Sequence, residues 1–241
     1  MTDETVTLAT VDGPMPTYVA EPAGPPRGGV VVVQEAFGVT EHIQDVARRF
    51  AAAGWRAVVP ALFHRAGEPA PVLAYNDLEH AVPLIGSLQR DGLMADLDAA
   101  LAFLAEGAIP PSRTAVVGFC MGGTVATIAA ADRSLGAAVA FYGGGLRAGR
   151  FGCPPLIDVA PHLRTPWLGL YGDLDRGIPT EDVEAMRTAT AKATVPTEII
   201  SYPDAQHGFH CDDRPAVFNA DAAKAAWARA LAWIEDRVPA E

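Results

Sequence analysis

One cysteine lies in a sequence context that favours covalent chemistry at a carbonyl carbon. Cys120 stands inside residues 118–123 (GFCMGG), which follow the apolar run 115–117 and precede the helix-like segment 124–130. A strand, a glycine-flanked nucleophile and a helix in this order are typical of a nucleophile elbow, here with cysteine in place of serine. Small flanking residues are needed because the sharp turn holds the nucleophile in a strained backbone conformation. The alternative is a small buried apolar residue in a glycine-rich turn.

Two later loops could supply the groups that a thiol nucleophile needs, a base and a carboxylate that orients it. His207 follows the predicted strand 197–202 and is favoured over His210, three positions later. Asp175 follows the predicted strand 167–171 within residues 172–179 (GDLDRGIP). Its Asp-x-x-Ile-Pro context favours it over Asp173, for which an Asx-type turn is expected. The order nucleophile, acid, histidine predicts a triad of Cys120, Asp175 and His207.

The other histidines and cysteines lack such a context. We expect packing, surface or inert roles for His42, His64, His80, His162, Cys153 and Cys211. Three cysteines without metal-ligand spacing suit a reducing compartment. The sequence contains no CxxC, HExxH or P-loop pattern, so we expect no metal and no other cofactor.

Composition excludes several classes of partner. The 241 residues are 50% hydrophobic and 20% charged, which is typical of a soluble globular protein. The net charge of -11 and the absence of a basic cluster argue against nucleic acid and anionic membranes as partners. No apolar run reaches the roughly 18 residues of a membrane span, and the acidic start differs from a secretory signal. We therefore expect a cytoplasmic protein.

Strands and helices alternate along most of the chain. Residues 29–34 contain four consecutive valines and predict a strand buried on both faces, followed by a helix over 41–53 and a strand over 55–60. Further helices are predicted over 73–88, 93–105, 124–131, 180–193 and 218–237, and further strands over 114–117, 137–142, 167–171 and 197–202. Residues 6–8 and 18–20 predict a short antiparallel hairpin. The pattern predicts one α/β domain over 1–241, with a mostly parallel sheet covered by helices on both faces.

The chain resembles the dienelactone hydrolase family, the carboxymethylenebutenolidases, over essentially its whole length. Four segments carry this resemblance. They are residues 118–123, residues 33–39 (VQEAFGV), residues 204–210 (DAQHGFH) and residues 219–223 (NADAA). The resemblance implies an α/β-hydrolase fold.

The resemblance also implies roles for residues that spacing alone does not mark. Glu35 is implied as a buried carboxylate that interacts with Cys120 and governs its ionisation. The backbone N–H groups of Ala36 and Met121 are implied as the oxyanion hole. Phe37 and Tyr142 are implied as walls of the substrate pocket, although either could be a packing aromatic.

The implied reaction is hydrolysis of an enol-lactone such as dienelactone to maleylacetate, a step in the degradation of aromatic compounds. The partner would be a small-molecule lactone or ester, and the protein is expected to be a monomer. One alternative is an α/β-hydrolase that acts on another ester, thioester or lactone. A third hypothesis, from a different class, is a non-catalytic redox-sensing or ligand-binding protein that uses Cys120 as a reactive thiol.

The chain departs from the family in the arginines that bind a substrate carboxylate. The position four residues after His207 is Cys211, and residues 73–88 contain no arginine. The sequence leaves open whether Arg65, Arg90, Arg214 or none of them takes this role.

Overall fold

The computed structural model describes residues 1–238, and eight strands lie within them. In chain order the strands are β1 (Thr2–Thr10), β2 (Gly13–Glu21), β3 (Gly29–Val33), β4 (Arg56–Pro60), β5 (Thr114–Phe119), β6 (Ala137–Phe141), β7 (Trp167–Gly172) and β8 (Thr197–Tyr202). They form one sheet in the order β1-β2-β4-β3-β5-β6-β7-β8. β2 pairs antiparallel with β1 and with β4, and all other neighbours are parallel.

Helices connect these strands. They are α1 (Glu41–Ala52), α2 (Leu78–Ser87), α3 (Arg90–Glu106), α4 (Met121–Asp132), α5 (Leu156–Val159), α6 (Thr180–Thr190) and α7 (Ala220–Glu235). Short 3-10 turns cover His64–Ala66, Pro111–Arg113 and Ala160–His162. The prediction of an α/β-hydrolase fold with a mostly parallel sheet and an N-terminal antiparallel hairpin is confirmed.

The centre of the sheet is the apolar core. Every residue of β3, β5 and β6 is buried, as expected for strands covered on both faces. Val31 lies opposite Val116 of β5 and Val58 of β4. α4 packs on β5 and β6, and its residues 121–130 are all buried. The glycines, alanines and threonines of α4 allow this close approach.

Several predicted elements have different ends in the structure, and a local cause is visible for some of them. The hairpin strands β1 and β2 are nine residues each, because their pairing continues from Thr10↔Gly13 to Thr2↔Glu21. The predicted helix 73–88 begins only at Leu78, since the Asp77 side chain accepts a hydrogen bond from the His80 N–H and caps it there. The last helix begins at Ala220, where Asn219 caps it by accepting from the Ala222 N–H at 3.1 Å.

Successive strands are added to the sheet first on one side of β3 and then on the other. β4 lies on one side of β3 and β5 on the other, so the loops after β3 and β5 leave the same edge in opposite directions. In open α/β sheets such a switch point opens a crevice at the carboxyl ends of the strands, where ligands bind. Within residues 1–238, no helix is both long and apolar enough to span a bilayer.

Candidate active site

The predicted elbow is present at the carboxyl end of β5. Cys120 has φ 55° and ψ -117°, a conformation that few residues other than glycine adopt. A Cβ atom on Gly118 would lie 1.9 Å from the Gly122 carbonyl oxygen. A Cβ atom on Gly122 would lie 2.3 Å from the Val33 carbonyl oxygen. The two glycines therefore allow the turn to close tightly and α4 to press against the end of β3.

The predicted base and acid are hydrogen-bonded to each other. His207 Nδ1 lies 2.6 Å from Asp175 Oδ2, across 32 residues of sequence. Asp175 follows β7 and is 5% exposed, whereas His207 follows β8 and stays partly exposed. The structure thus brings together the ends of β7 and β8, which carry Asp175 and His207. Cys120, at the end of β5, influences the same imidazole.

The environment of His207 favours its protonated form. Burial alone would lower the pKa of His207. Hydrogen bonds to Asp175 and Cys120, and the negative charges of the carboxylate and the thiolate, outweigh burial and raise this pKa to about 10. At neutral pH His207 is therefore an imidazolium beside the cysteine sulfur.

Asp175 has a second hydrogen bond that fixes its orientation. Its Oδ1 accepts the Gly177 N–H at 2.8 Å, which leaves Oδ2 for the histidine. The expected Asx-type turn is therefore made by Asp175, and the expectation of such a turn at Asp173 is wrong. Asp173 is exposed. One carboxylate thus both orders its loop and holds the imidazole.

Glu35 lies beneath the crevice, two residues after β3. It is 1% exposed, and its Oε1 accepts the Tyr142 hydroxyl at 3.3 Å. Its Oε2 is also buried, and no group within residues 1–238 forms a hydrogen bond with it. The implied interaction between Glu35 and Cys120 stays a prediction, because the hydrogen-bonding partner in the structure is Tyr142.

The two implied pocket aromatics lie close to these residues. Tyr142 has φ 40°, is fully buried, and has its ring centroid 5.1 Å from that of His207. Burial and the nearby charge of Glu35 raise the pKa of Tyr142 well above its ordinary value, so its hydroxyl remains a donor. Phe37 is 4% exposed and stacks edge-on against Tyr75. Contact of either ring with a substrate stays a prediction.

The two implied oxyanion donors flank the elbow. Met121 is the first residue of α4, and the first N–H groups of a helix have no acceptor within the helix. Ala36 lies in a tight loop that a bridge between Glu35 and Gly38 closes. Gly38 has φ 86°, and a Cβ atom on it would lie 2.4 Å from the Pro71 carbonyl oxygen. The loop is thus held in place, and the role of both N–H groups stays a prediction.

Two of the three candidate arginines already form ion pairs with acidic residues. Arg65 binds the buried Asp96 at 2.7 Å and Asp12 at 2.7 Å. Arg90 binds Asp132 at 2.7 Å. These two guanidinium groups are already neutralised.

Arg214 differs from both. Among residues 1–238, no carboxylate forms an ion pair with Arg214. Its guanidinium carbon lies 5.7 Å from the Phe37 ring centroid and 5.5 Å from that of Tyr75. A Cβ atom on Gly208, the residue after His207, would lie 2.9 Å from Arg214 Nη1. An unpaired cation thus lies between the histidine loop and the Ala36–Phe37 loop. From the sequence alone, Arg214 is one of three candidate anion-binding arginines. The choice among them depends on which of the three form ion pairs in the folded protein.

The other two cysteines lie away from solvent. Cys211 is fully buried, and burial together with the charge of Glu35 raises its pKa to about 12, despite a hydrogen bond from Tyr75. Cys153 is 8% exposed, and burial raises its pKa. Both remain neutral thiols at physiological pH. Within residues 1–238, His, Cys, Asp and Glu side chains form no group of three that could hold a metal ion.

His210, the local rival of His207, is part of the core. It is 2% exposed, and its ring centroid lies 5.1 Å from that of Phe141 and 5.3 Å from that of Phe119. Burial and the positive charges of His42 and Arg49 lower the pKa of His210 to about 3. It is therefore neutral at physiological pH and supports the strand ends from below.

We expect the free energy of unfolding to fall less at acidic pH in His210→Phe than in the wild type. The pKa of His210 is about 3 when folded and 6.5 when unfolded, so the unfolded chain binds more protons between these values. The free energy of unfolding therefore falls as pH drops from 6.5 towards 3. Between pH 7 and pH 5, titration of His210 alone should lower the free energy of unfolding by about 2 kcal/mol. Urea unfolding of both proteins at the two pH values measures the difference, and equal losses in both would contradict the assignment.

Comparisons with known proteins show which family the chain resembles. Residues 15–238 match the model of the dienelactone hydrolase family. The chain is 39% identical over 229 residues to a provisionally named carboxymethylenebutenolidase of Escherichia coli O157:H7, covering 92% of this chain and 82% of the relative. It is 38% identical over 233 residues to one from Yersinia pestis, covering 95% and 86%.

A solved structure supports the same assignment. The crystal structure of a provisionally named dienelactone hydrolase from Klebsiella pneumoniae superposes with a TM-score of 0.88 at 36% identity. The match covers 97% of this chain and 98% of that chain. Fold, strand-end geometry and these similarities lead to one conclusion: the chain is a carboxylic-ester hydrolase and belongs to the dienelactone hydrolase family.

Proposed function

We propose that this protein opens an enol-lactone of the dienelactone type, which carries a free carboxylate, through Cys120, His207 and Asp175. The observation that carries the proposal is the 2.6 Å contact of His207 with Asp175. The nearby Cys120 helps to raise the pKa of the same imidazole. This arrangement meets the requirement for nucleophile, base and orienting acid.

The first half of the reaction uses Cys120 as the nucleophile and the His207 imidazolium as the proton donor. The Cys120 thiolate attacks the lactone carbonyl carbon, and the new C–S bond moves the carbonyl electrons onto oxygen. The N–H groups of Ala36 and Met121 would stabilise that oxyanion. Collapse breaks the ring C–O bond, the enolate leaves with the proton of His207, and a thioester remains on Cys120.

Loss of the thiolate then changes the role of His207. The charge of Cys120 and its hydrogen bond contribute to the raised pKa, so acylation of the sulfur removes both contributions and lowers the pKa of His207. The neutral imidazole can take a proton from water. The resulting hydroxide attacks the thioester, the C–S bond breaks, and thiolate and imidazolium are restored. The net reaction adds one water to the lactone.

The leaving group limits the substrate class. An enolate or aryloxide is a weaker base than an amide nitrogen, so it leaves more readily from the tetrahedral adduct of a thiolate. We therefore expect activated esters and enol-lactones to be hydrolysed in preference to amides.

An acyl-enzyme adduct tests the mechanism directly. The protein is mixed with an aryl acetate or an enol-lactone, quenched in acid within the first turnovers, and analysed by intact mass and peptide mapping. We expect one acyl group on the peptide that contains Cys120. Turnover with an adduct on a different residue would overturn the triad, and binding without any turnover would favour the redox-sensing hypothesis.

We expect Arg214→Met to lower kcat/KM for acidic substrates selectively. A charge-assisted hydrogen bond contributes about 1.5–3 kcal/mol, which corresponds to a loss of about 10- to 150-fold for a lactone bearing a carboxylate. A neutral methyl ester of the same lactone should change less than about threefold. Steady-state kinetics of both substrates provides the measurement.

Arg90→Met is the matched control, because Arg90 is already paired with Asp132. This variant should cause only a small change in kcat/KM, and the change should be the same for both substrates. If Arg214→Met also reduces both substrates equally, Arg214 does not bind the carboxylate, and a neutral ester becomes the favoured substrate.

A further inference from the structure

A cavity lies beside α2, apart from the residues of the proposed triad. Its volume is about 760 Å³, and its walls come from α2, the start of α3, the segment after β4 and the β1–β2 turn. The apolar part of the wall is formed mainly by Leu62, Phe63, Leu84, Leu88 and Leu93. Cys120, Asp175 and His207 do not line it. We call this space the α2 cavity.

The size and lining suit a small organic molecule. Small-molecule sites in proteins are typically clefts of about 300–1,000 Å³ with apolar walls and few polar groups. Leu88 and Leu93 are almost completely buried below the cavity, and Leu84 of α2 is half-buried above it. An apolar occupant would cover surface that Leu84 leaves open to water.

The outer wall is a weakly packed helix. Of the ten residues of α2, only Ala81 is buried, and it packs with Ala36 and Phe37. The cavity is lined by a different face of the helix, which includes His80, Leu84 and Ser87. α2 therefore separates the cavity from the loop that carries the proposed oxyanion donor.

The polar groups at the cavity already have hydrogen-bonding partners. Arg65 donates from Nε to Asp12 and from Nη1 and Nη2 to Asp96, and His64 also contacts Asp96 at 3.1 Å. His80 Nδ1 lies 2.7 Å from Asp77 Oδ1. An anionic ligand would have to break the pairs of Arg65, and the largely apolar wall gives a cation few polar groups to replace its water. The occupant that fits is therefore neutral.

One residue connects the cavity with the Ala36–Phe37 loop. Leu73 lines the cavity and packs against Ala36 and Phe37. Its N–H donates to the Phe37 carbonyl oxygen at 2.9 Å. An occupant in contact with Leu73 would therefore press on the loop that carries the Ala36 N–H.

We propose that the α2 cavity is an accessory site for a neutral, largely apolar small molecule, and that its occupancy alters turnover through Leu73. The coupling rests on the proposed function of Ala36, whereas binding at the cavity does not.

Binding is tested with phenylnaphthylamine, a neutral fluorophore, and its sulfonated analogue anilinonaphthalene sulfonate. We expect saturable binding of the neutral probe and at least tenfold weaker binding of the sulfonate. Leu84→Trp fills the cavity and should weaken binding of the neutral probe at least tenfold. Ser87→Trp, a second filling variant at an exposed position, should act in the same direction if Leu84→Trp folds poorly.

Val82→Trp is the matched control, since Val82 is on the same helix and 63% exposed. It should leave binding within twofold of the wild type, as should alkylation of Cys120. Any of three results would overturn the site. Val82→Trp could weaken binding of the neutral probe as much as Leu84→Trp does, the sulfonate could bind with equal affinity, or alkylation of Cys120 could displace the neutral probe.

Turnover of an aryl acetate at saturating neutral probe tests the coupling. We expect kcat/KM to change at least twofold in the wild type and not in Leu84→Trp. Binding with unchanged kcat/KM would overturn the coupling while the proposed chemistry at Cys120 stands.

Discussion

Replacing Cys120 with alanine lowers kcat/KM for an activated ester or enol-lactone by roughly a thousandfold or more, because removal of a nucleophile leaves only binding and oxyanion stabilisation. Folding should be unaffected, since alanine is smaller than cysteine and Cys120 already tolerates φ 55° in this turn. The measurement is steady-state hydrolysis of an aryl acetate, with circular dichroism to verify the fold. Activity within tenfold of the wild type would contradict a covalent role for Cys120.

Cys153→Ala is the control for this experiment. Cys153 is buried near Arg90 and takes no part in the proposed reaction. Its replacement should leave kcat/KM within about twofold of the wild type. Iodoacetamide adds an independent check: Cys120 is the only partly exposed thiol of the three, so it should be alkylated first, and activity should fall in step with that single label.

Gly118→Ala should destabilise the protein severely. The new methyl carbon would lie 1.9 Å from the Gly122 carbonyl oxygen and 2.2 Å from its carbonyl carbon. Both atoms are backbone, so β5 and α4 must separate rather than a side chain rotating away. We expect a loss of at least about 3 kcal/mol in the free energy of unfolding, measured by urea denaturation.

Gly24→Ala is the matched control. Within residues 1–238, no heavy atom beyond the adjoining residues lies within 4 Å of a Cβ placed on Gly24, so this substitution should change stability by less than about 0.5 kcal/mol. If Gly118→Ala is as stable as Gly24→Ala, the elbow is looser than its geometry indicates. In that case the strained conformation of Cys120 would not depend on the glycine.

Local sequence patterns were sufficient to predict the elements that form the centre of the site. The four valines of residues 30–33 predicted a strand buried on both faces, and β3 is that strand. Glycines at fixed distances from Cys120 predicted the elbow, because their function depends only on nearby backbone atoms. The loops after β7 and β8 were predicted from their strands, and these loops bring Asp175 next to His207.

Features that depend on contacts between distant segments could not be predicted in this way. Arg65 is neutralised by Asp96 and Arg90 by Asp132, and only the fold brings these residues together. Arg214 has no such carboxylate partner among residues 1–238, and for this reason we propose it as the anion-binding residue. The start of α2 depended on a cap at Asp77, which hydrophobic periodicity does not report.

At one edge of the sheet, β1 pairs only with β2, so the backbone groups on its other side face outward. Such an edge can template the addition of a strand from another copy of the chain. Here the exposed residue Glu4 lies on that strand, in a protein of net charge -11, whereas the Asp3 carboxylate is paired with Tyr18 and Arg48. Two copies that approach edge to edge would bring two acidic surfaces together. The hairpin that completes the fold thus also opposes the extension of the sheet into an aggregate.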